Sequence, residues 1–418
     1  MLKIMELFAG VGGFRLGLEQ TEDFEVVWGN QWEPSKKSQD AFNCYAKQFK
    51  DKGNHSNVDI ADVDEKQFIN NDINLIVGGF PCQDYSVARS LSGEKGLEGK
   101  KGVLFWDITR MVKEIQPKYL LLENVDRLLK SPSKQRGRDF SVMLASLRDL
   151  NYSVEWRVIN AADYGQAQRR RRVFIFAVHN STAYYKKLFE ETNPSIIHND
   201  GFFAPAFPVE ENFVERHPPR EFKLPKNLLE VSDEFSQKYL NAGIMKDGLV
   251  YTEEVISRTE PFISLGSILQ SDVEEKYYLS EKSIEKFRYL KGPKRIERTS
   301  ATGHSYFFSE GGMAFPDALD KPGRTMLTSE GTNNRSTHVV EDPLTQRLRF
   351  LTPVECERLN GFPDNWTEGM ADRMRYFCMG NALVVGLIKR MGQRINEIEQ
   401  EEIKQLKVEP QQMSLFGY

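Results

Sequence analysis

Short apolar runs separated by longer amphipathic stretches mark the first ~180 residues. "LKIMELF", "INLIVGGF", "KYLLLENV" and "RVFIFAV" are near-continuous apolar runs of strand length, as buried strands require. Between them, "GFRLGLEQ" and "LFWDITRMVKEI" repeat apolar positions at helical spacing. Strands alternating with helices in this way predict an α/β domain built on a mostly parallel sheet, with helices on both faces. After about residue 181 the alternation is lost, and prolines and aromatics thicken in "HNDGFFAPAFPVEENFVERHPP". Short Gly-bounded strands such as "YFFSEGGM" and "RTMLTSEG" follow. The expected organisation is a catalytic and cofactor-binding domain over 1–180 and a second, smaller domain over 181–372. A C-terminal helix over 373–404 returns to the first domain, and 405–418 form a flexible tail.

Composition narrows the class. The chain has 418 residues, 40% apolar, which is enough for one large domain plus a smaller one. No run reaches the ~18 apolar residues of a membrane span, and the N-terminus lacks the pattern of a signal peptide, so a cytoplasmic protein is expected. The four cysteines form no CxxC pair and the six histidines are scattered, which argues against metal ligation or a disulfide framework. A net charge of −4 argues against a general nucleic-acid binder, but charge is unevenly placed. Basic runs occur at "LLKSPSKQRGR" (128–138), "QRRRR" (168–172) and "KGPKRIER" (291–298). Each run taken alone is also an ordinary solvated face.

Candidate chemistry lies where strands end. In sheets of this kind, ligands bind beyond the carboxyl ends of the strands. "LFAGVGGFRLGLE" (7–19) reads as strand, Gly-rich turn and helix, with Gly10, Gly12 and Gly13 permitting close approach of a ligand to the backbone. It is neither GxGxxG nor the lysine-bearing phosphate loop. "GNQWEP" (29–34) follows about twenty residues on, where nucleotide-binding folds place a ribose partner. Asp59 and Ile60 of "VDIADV" suit the edge and face of an adenine. In this order they suggest an adenosyl ligand, and the lack of phosphate-binding lysines suggests one without phosphates. Cys82 follows the "LIVGG" run and Glu123 ends "YLLLE". On their own these residues are equally a half-buried thiol and a strand-end carboxylate.

Taken in order, the blocks resemble the DNA cytosine-5 methyltransferases over nearly the whole chain. The matching stretches are FxGxG at 8–12, Pro81-Cys82-Gln83, Glu123-Asn124-Val125 and the QxRxR of Gln168, Arg170 and Arg172. "RFLTPVECERLNGFPDNW" (349–366) and "GNALVV" (380–385) complete the set. The resemblance implies a Rossmann-like S-adenosylmethionine-dependent methyltransferase fold with a second, target-recognition domain. It implies double-stranded DNA as partner, a flipped-out cytosine as target, and no metal. It also implies Cys82 as the nucleophile adding to C6, Glu123 as the acid at N3, Arg172 on the cytosine O2, and Arg170 orienting the site and its phosphates. S-adenosyl-L-methionine would be held by Phe8, Ala9, Gly10, Val11, Gly12, Gly13, Gln31, Trp32, Asp59, Ile60, Pro81, Leu104, Asn381 and Ala382. The Gly-rich stretch 87–102 would be a closing lid.

Two positions depart from the family pattern. Gln31 stands where a ribose-binding acid is usual, and Ala167 where a proline commonly precedes the QxRxR glutamine. More narrowly, "KQRGRDF", "YLKGPKRIERT", "YFFSEGGM" and "RTMLTSEGTNNRSTHVV" resemble modification enzymes of GATC-recognising restriction systems, implying the cytosine of GATC as target. An enzyme acting as a monomer is expected. Other readings explain less. A nicotinamide oxidoreductase leaves the cysteine, glutamate and arginine blocks unused, and an adenine-N6 enzyme would need an NPPY-like strand end. An idle DNA-binding protein would not need Cys82 and Glu123, and an RNA cytosine-5 enzyme would not need so long a second domain. Finally, Gln412-Met413-Ser414-Leu415-Phe416 resembles the short motif by which bacterial proteins dock on the replicative sliding clamp.

Overall fold

The structure is a computed structural model of the protein. It describes residues 1–21, 23–34, 36–80, 104–189, 194–211, 214, 216–233, 235–300 and 303–415, with side chains through 405. The chain divides into two compact units. The first comprises Met1–Asn160, Arg171–Thr259 and Val385–Tyr418, and the second Ala161–Arg170 and Glu260–Val384.

The first unit is built on a ten-stranded sheet. Its strands are β1 (Leu2–Leu7), β2 (Phe24–Asn30), β3 (Asn54–Ser56), β4 (Leu75–Gly79), β5 (Tyr119–Val125), β6 (Tyr152–Asn160), β7 (Arg171–His179), β8 (Arg220–Lys223), β9 (Ala242–Lys246) and β10 (Leu249–Glu253). The order is β3-β2-β1-β4-β5-β7-β6-β9-β10-β8. From β3 to β5 every pairing is parallel, and from β5 onward every pairing is antiparallel, so the sheet is mixed and not the mostly parallel one expected. The strand order reverses beside β1 and β4, so the crevice at their carboxyl ends is where such a sheet accepts a ligand. Ile76, Val77, Leu120, Leu121 and Leu122 are fully buried, which explains why β4 and β5 are continuous apolar runs. Among the described residues, no helix is long and apolar enough to cross a membrane.

The expected boundary at 181 moves to Thr259, because the aromatic-rich segment joins the core of the first unit. Phe202 stacks on Phe176 of β7 with ring centroids 3.9 Å apart. Glu155 of β6, fully buried, accepts the backbone N–H groups of Phe202 and Phe203 at 2.6 and 3.2 Å. Strand β9 then pairs with β6, Gly243 opposite Trp156. A Cβ at Gly243 would lie 2.1 Å from the indole, so only glycine lets the strands meet there.

The C-terminal boundaries shift as well. Helix Asp372–Asn381 belongs to the second unit, and a separate helix, Val385–Leu415, belongs to the first. The latter packs on helix Gly13–Glu19, where a Cβ at Gly17 would meet Ile388 at 2.6 Å. Its backbone remains helical to Leu415, where a flexible tail was expected from 405. The residue types Lys, Glu, Gln, Met and Leu favour helix there despite Pro410.

The second unit holds two antiparallel ribbons, β11 (Lys294–Thr299) with β12 (Ser305–Glu310) and β13 (Val339–Glu341) with β14 (Leu348–Phe350). Helix Pro353–Leu359 starts with a capping box of Thr352 and Glu355. Arg349, fully buried, is neutralised by Asp342 and Glu355 at 2.8 Å each. Burying such a cation requires this degree of pairing.

Candidate functional site

The turn after β1 is shaped by left-handed backbone. Phe8, Gly10 and Gly12 have φ of 56°, 57° and 89°. Phe8 therefore carries strain that a side chain normally avoids. Ala9 N–H donates to the Asn30 carbonyl at 2.9 Å, and Gly10 N–H donates to Gln31 Oε1 at 2.8 Å. The turn after β1 and the end of β2 are thus tied together. Gln31, at the position where an acid is usual, uses its amide oxygen to hold the turn. Val11 is buried beneath the turn, and Gly13 opens helix Gly13–Glu19.

Two glycines in this turn have different reasons. A Cβ at Gly12 would meet the Phe49 ring at 2.5 Å, so Gly12 is required by packing. A Cβ at Gly10 would meet nothing within 4 Å, so the turn has open space on that side. Trp32 is 37% exposed, a large apolar side chain left beside the β2 end. Asp59 accepts Ala61 N–H at 3.1 Å and Ile60 is buried. Arg110 pins this loop by donating to the carbonyls of Ile60 and Val63 at 2.7 Å each. Leu104, at the start of helix Leu104–Ile115, is half-buried against the core. An open glycine-lined turn flanked by an indole and an Asp–Ile pair, none of them cationic, fits an adenosyl group without phosphates.

Below the turn lies a network the sequence reading did not anticipate. Glu6 of β1 is fully buried and accepts Tyr45 O–H at 2.9 Å and Arg15 N–H at 3.3 Å. Burial pushes its carboxyl up to about 7, against the lowering effect of Tyr45 and Arg15. Arg15 also pairs with Glu19 at 2.7 Å and lies over the Phe49 ring at 4.3 Å. The acidic Glu6 amid the apolar residues of "IMELF" is the signal from which such a partner set could have been read.

At the neighbouring strand ends, Glu123 of β5 forms an ion pair with Arg172 of β7, Oε1 to Nε 2.8 Å. Both side chains are under one-fifth exposed, 14% and 17%. Register explains the meeting, since Val125 pairs with Arg172 and Glu123 lies two residues back along the antiparallel ladder. Gly79 of β4 faces Glu123, and a Cβ there would come within 3.1 Å of Oε2. Asn124, buried, donates to the Phe80 carbonyl at 2.8 Å. It therefore fixes the residue just before Pro81. Asn124 lies inside the Glu-Asn-Val block, the signal from which its positioning part could have been read. Pro81, Cys82 and the stretch 87–102 lie outside the described residues.

Arg170 does not stand with Arg172. It is buried in the second unit and donates to the carbonyls of Met326 at 3.1 Å and Gly380 at 2.9 Å. A guanidinium so enclosed is bonded to these carbonyls and not to phosphates, the part expected of it beside orienting the site. Its position instead supports the chain just before Asn381 and Ala382, the former exposed and the latter half-buried at the end of helix Asp372–Asn381. Gln168 is a second such hub, donating to Asn360 Oδ1 at 3.0 Å and accepting Met326 N–H at 2.9 Å. Ala167 is buried, its carbonyl accepting Gly323 N–H at 2.7 Å.

Residues 2–397 match the family described as C-5 cytosine-specific DNA methylase. The chain belongs to this family. It is 55% identical over 412 residues to the type II methyltransferase M.Sau3AI of Staphylococcus aureus, covering 97% of this chain and 99% of that one. It is 27% identical to the type II methyltransferase M.HhaI of Haemophilus parahaemolyticus, covering 94% of each. The DNMT2 structure from Spodoptera frugiperda superposes with a TM-score of 0.58 at 15% identity, covering 94% of this chain and 99% of that one. At that identity the likeness concerns the fold. The chain is thus a DNA cytosine-C5 methyltransferase with the α/β methyltransferase fold expected from its sequence. The remaining cysteines of this methyltransferase make poor nucleophiles. Cys44, Cys356 and Cys378 are all buried, and burial, with Glu330, Glu355 and Glu357 nearby, pushes the Cys356 thiol well up.

Proposed function

We propose that the enzyme methylates C5 of the cytosine in duplex GATC, as the modification partner of a restriction endonuclease in a bacterial cytoplasm, acting as a monomer. Support for the target comes from the second-unit stretches resembling GATC-reading modification enzymes, and from the 55% identity to M.Sau3AI.

The observation that carries the site is the Glu123–Arg172 pair beside the Asn124–Phe80 tie, at the carboxyl end of β4 and β5. Cys82 follows Phe80 by two residues. In this reading the Cys82 thiolate adds to C6 of the extruded cytosine, making C5 nucleophilic. Arg172 favours that thiolate and donates to O2, while Glu123 holds and protonates N3 as charge builds there. S-adenosyl-L-methionine, which the 8–13 turn would hold with Gln31, Trp32, Asp59, Ile60, Pro81, Leu104, Asn381 and Ala382, would supply an electrophilic methyl group to C5 and leave as S-adenosylhomocysteine. Loss of the C5 proton, return of the N3 proton to Glu123 and release of the Cys82 sulfur then restore the ring. Arg170 positions the 380–382 turn. The second unit, Ala161–Arg170 with Glu260–Val384, is the target-recognition unit, and 87–102 closes over the site.

The test is transfer of labelled methyl to duplex DNA, followed by bisulfite mapping. GATC cytosines alone should be protected. Methylation at other sequences would refute the target, and transfer to RNA in preference to DNA would refute the substrate. Docking on the replicative sliding clamp through Gln412–Phe416 is the remaining partner proposal. A peptide of residues 404–418 should bind the clamp at micromolar affinity and lose binding on Leu415→Ala with Phe416→Ala. No binding by peptide or whole protein would remove the idea.

A further inference from the structure

The ribbon β11–β12 is largely exposed to solvent, with nine of its twelve residues exposed. In its register, Arg295 faces Ser309, Glu297 faces Phe307 and Thr299 faces Ser305, and directly paired residues share a face. All of these six residues are exposed, Phe307 at 56%. On the opposite face Lys294, Phe308 and Glu310 are half-buried while Ile296, Arg298 and Tyr306 are exposed, so that face is covered only in part, whereas the first is open along its whole length. A two-stranded ribbon is marginal by itself and an exposed phenylalanine at its centre is costly.

The base of the ribbon is nonetheless fixed. Arg335 donates to the carbonyls of Leu290 at 2.6 Å and of Gly311, and Met313 N–H donates to the Lys291 carbonyl at 2.8 Å. Lys294 and Arg335 also balance Glu310, at 3.6 and 3.5 Å. The structure therefore holds an aromatic-bearing ribbon out from a rigid root.

The chemistry of the outward face is that of base-edge recognition. The Arg295 guanidinium lies over the Phe307 ring, 4.4 Å from its centroid. Stacking uses the face of the guanidinium and leaves its in-plane N–H groups available. Beyond the backbone pairing of the ribbon, the side chains of Arg295 and Glu297 have no hydrogen bond or ion pair with the described residues. A carboxylate would be repelled by phosphates, but it accepts a hydrogen bond from the cytosine amino group; arginine donates two to guanine O6 and N7. Serine, threonine and an aromatic edge suit the remaining positions. The major groove is wide enough for a two-stranded ribbon.

We propose that the outward face of β11–β12 enters the major groove of the target site, with Arg295, held on Phe307, reading a guanine. This rests on the reading of the second unit as the target-recognition unit, and the guanine is that of GATC. Phe307 is a positioning residue. Arg298 lies on the other face, over Phe308 at 3.9 Å, and reads no base.

The test uses the whole enzyme and duplexes carrying one site, with guanine replaced by 7-deazaguanine, which lacks N7, or by inosine, which lacks only the minor-groove amino group. Wild type should lose roughly 5- to 150-fold in kcat/KM with 7-deazaguanine, the range of one base contact, and little with inosine. Arg295→Ala should lose that amount on the natural site and show no further loss with 7-deazaguanine. Phe307→Leu should show an intermediate loss, and Arg298→Ala an equal affinity change on all duplexes.

Additive losses in Arg295→Ala and 7-deazaguanine, or full activity of Arg295→Ala on the natural site, would overturn the assignment. So would a wild-type dimer in sedimentation that Phe307→Ser converts to monomer without change in site discrimination, since the face would then join two copies. Sequencing the methylated sites of a random library separates the two claims. Wild type methylating a sequence other than GATC refutes the target, whereas strict GATC methylation by Arg295→Ala refutes the ribbon.

Discussion

Replacing Glu6 by glutamine should change how stability depends on pH. Glu6 is fully buried beneath the 8–13 turn, and burial raises its carboxyl from 4.5 to about 7. The folded protein therefore holds this proton more tightly than the unfolded chain does. The resulting stabilisation is complete below pH 4.5 and is lost as pH rises through 7. A difference of about 2.5 pH units corresponds to about 3 kcal/mol at most. Arg15, Tyr45 and Glu19 face the same carboxyl, and their opposing effects are already contained in its position near 7. In Glu6→Gln the amide still has Tyr45 within reach but binds no proton. Its stability relative to wild type should thus rise with pH, by up to about 3 kcal/mol between pH 4.5 and pH 8. Urea unfolding followed by tryptophan fluorescence at several pH values measures this, with any pH-independent cost of the substitution cancelling in the comparison. Parallel curves for wild type and Glu6→Gln across that range would refute the reasoning.

The site makes further demands. Glu123→Gln should retain DNA binding while the single-turnover rate falls by ~10² or more, because an amide cannot deliver a proton to N3; a rate near wild type would contradict that role. Asn124→Ala leaves the Phe80 carbonyl without its donor. It should cost about 1–3 kcal/mol in stability and slow methyl transfer without weakening DNA affinity, as measured by urea unfolding and filter binding.

How far the sequence discloses this architecture differs between elements. Strands β1, β4, β5 and β7 stand out because they are buried without charges in their centres, Glu6 excepted. Strand β6, "YSVEWRVIN", does not, because its charges are buried and satisfied from far along the chain. Glu155 is met by Phe202 and Phe203, and Arg157 by the carbonyls of Phe207 and Ile197. No local pattern reveals such partners. The same long-range pairing placed the domain boundary wrongly, since aromatics that look like a change of texture are the packing of β6 and β7. At the site, Glu123 is legible as a strand-end carboxylate, and Arg172 only through the QxRxR block of the resemblance. The burial of Arg170 was not, because alternate arginines in "QRRRR" look alike until β7 begins at Arg171.

Covalent attack by Cys82 at C6 is the centre of this account. A duplex in which the target cytosine is replaced by 5-fluorocytosine blocks release, since no proton can leave C5. Incubated with enzyme and S-adenosyl-L-methionine, it should give a stable protein–DNA complex whose proteolytic peptide carries the nucleotide on Cys82, and Cys82→Ala should give neither complex nor methylation. An adduct on another residue, or methylation at wild-type rate by Cys82→Ala, would contradict it.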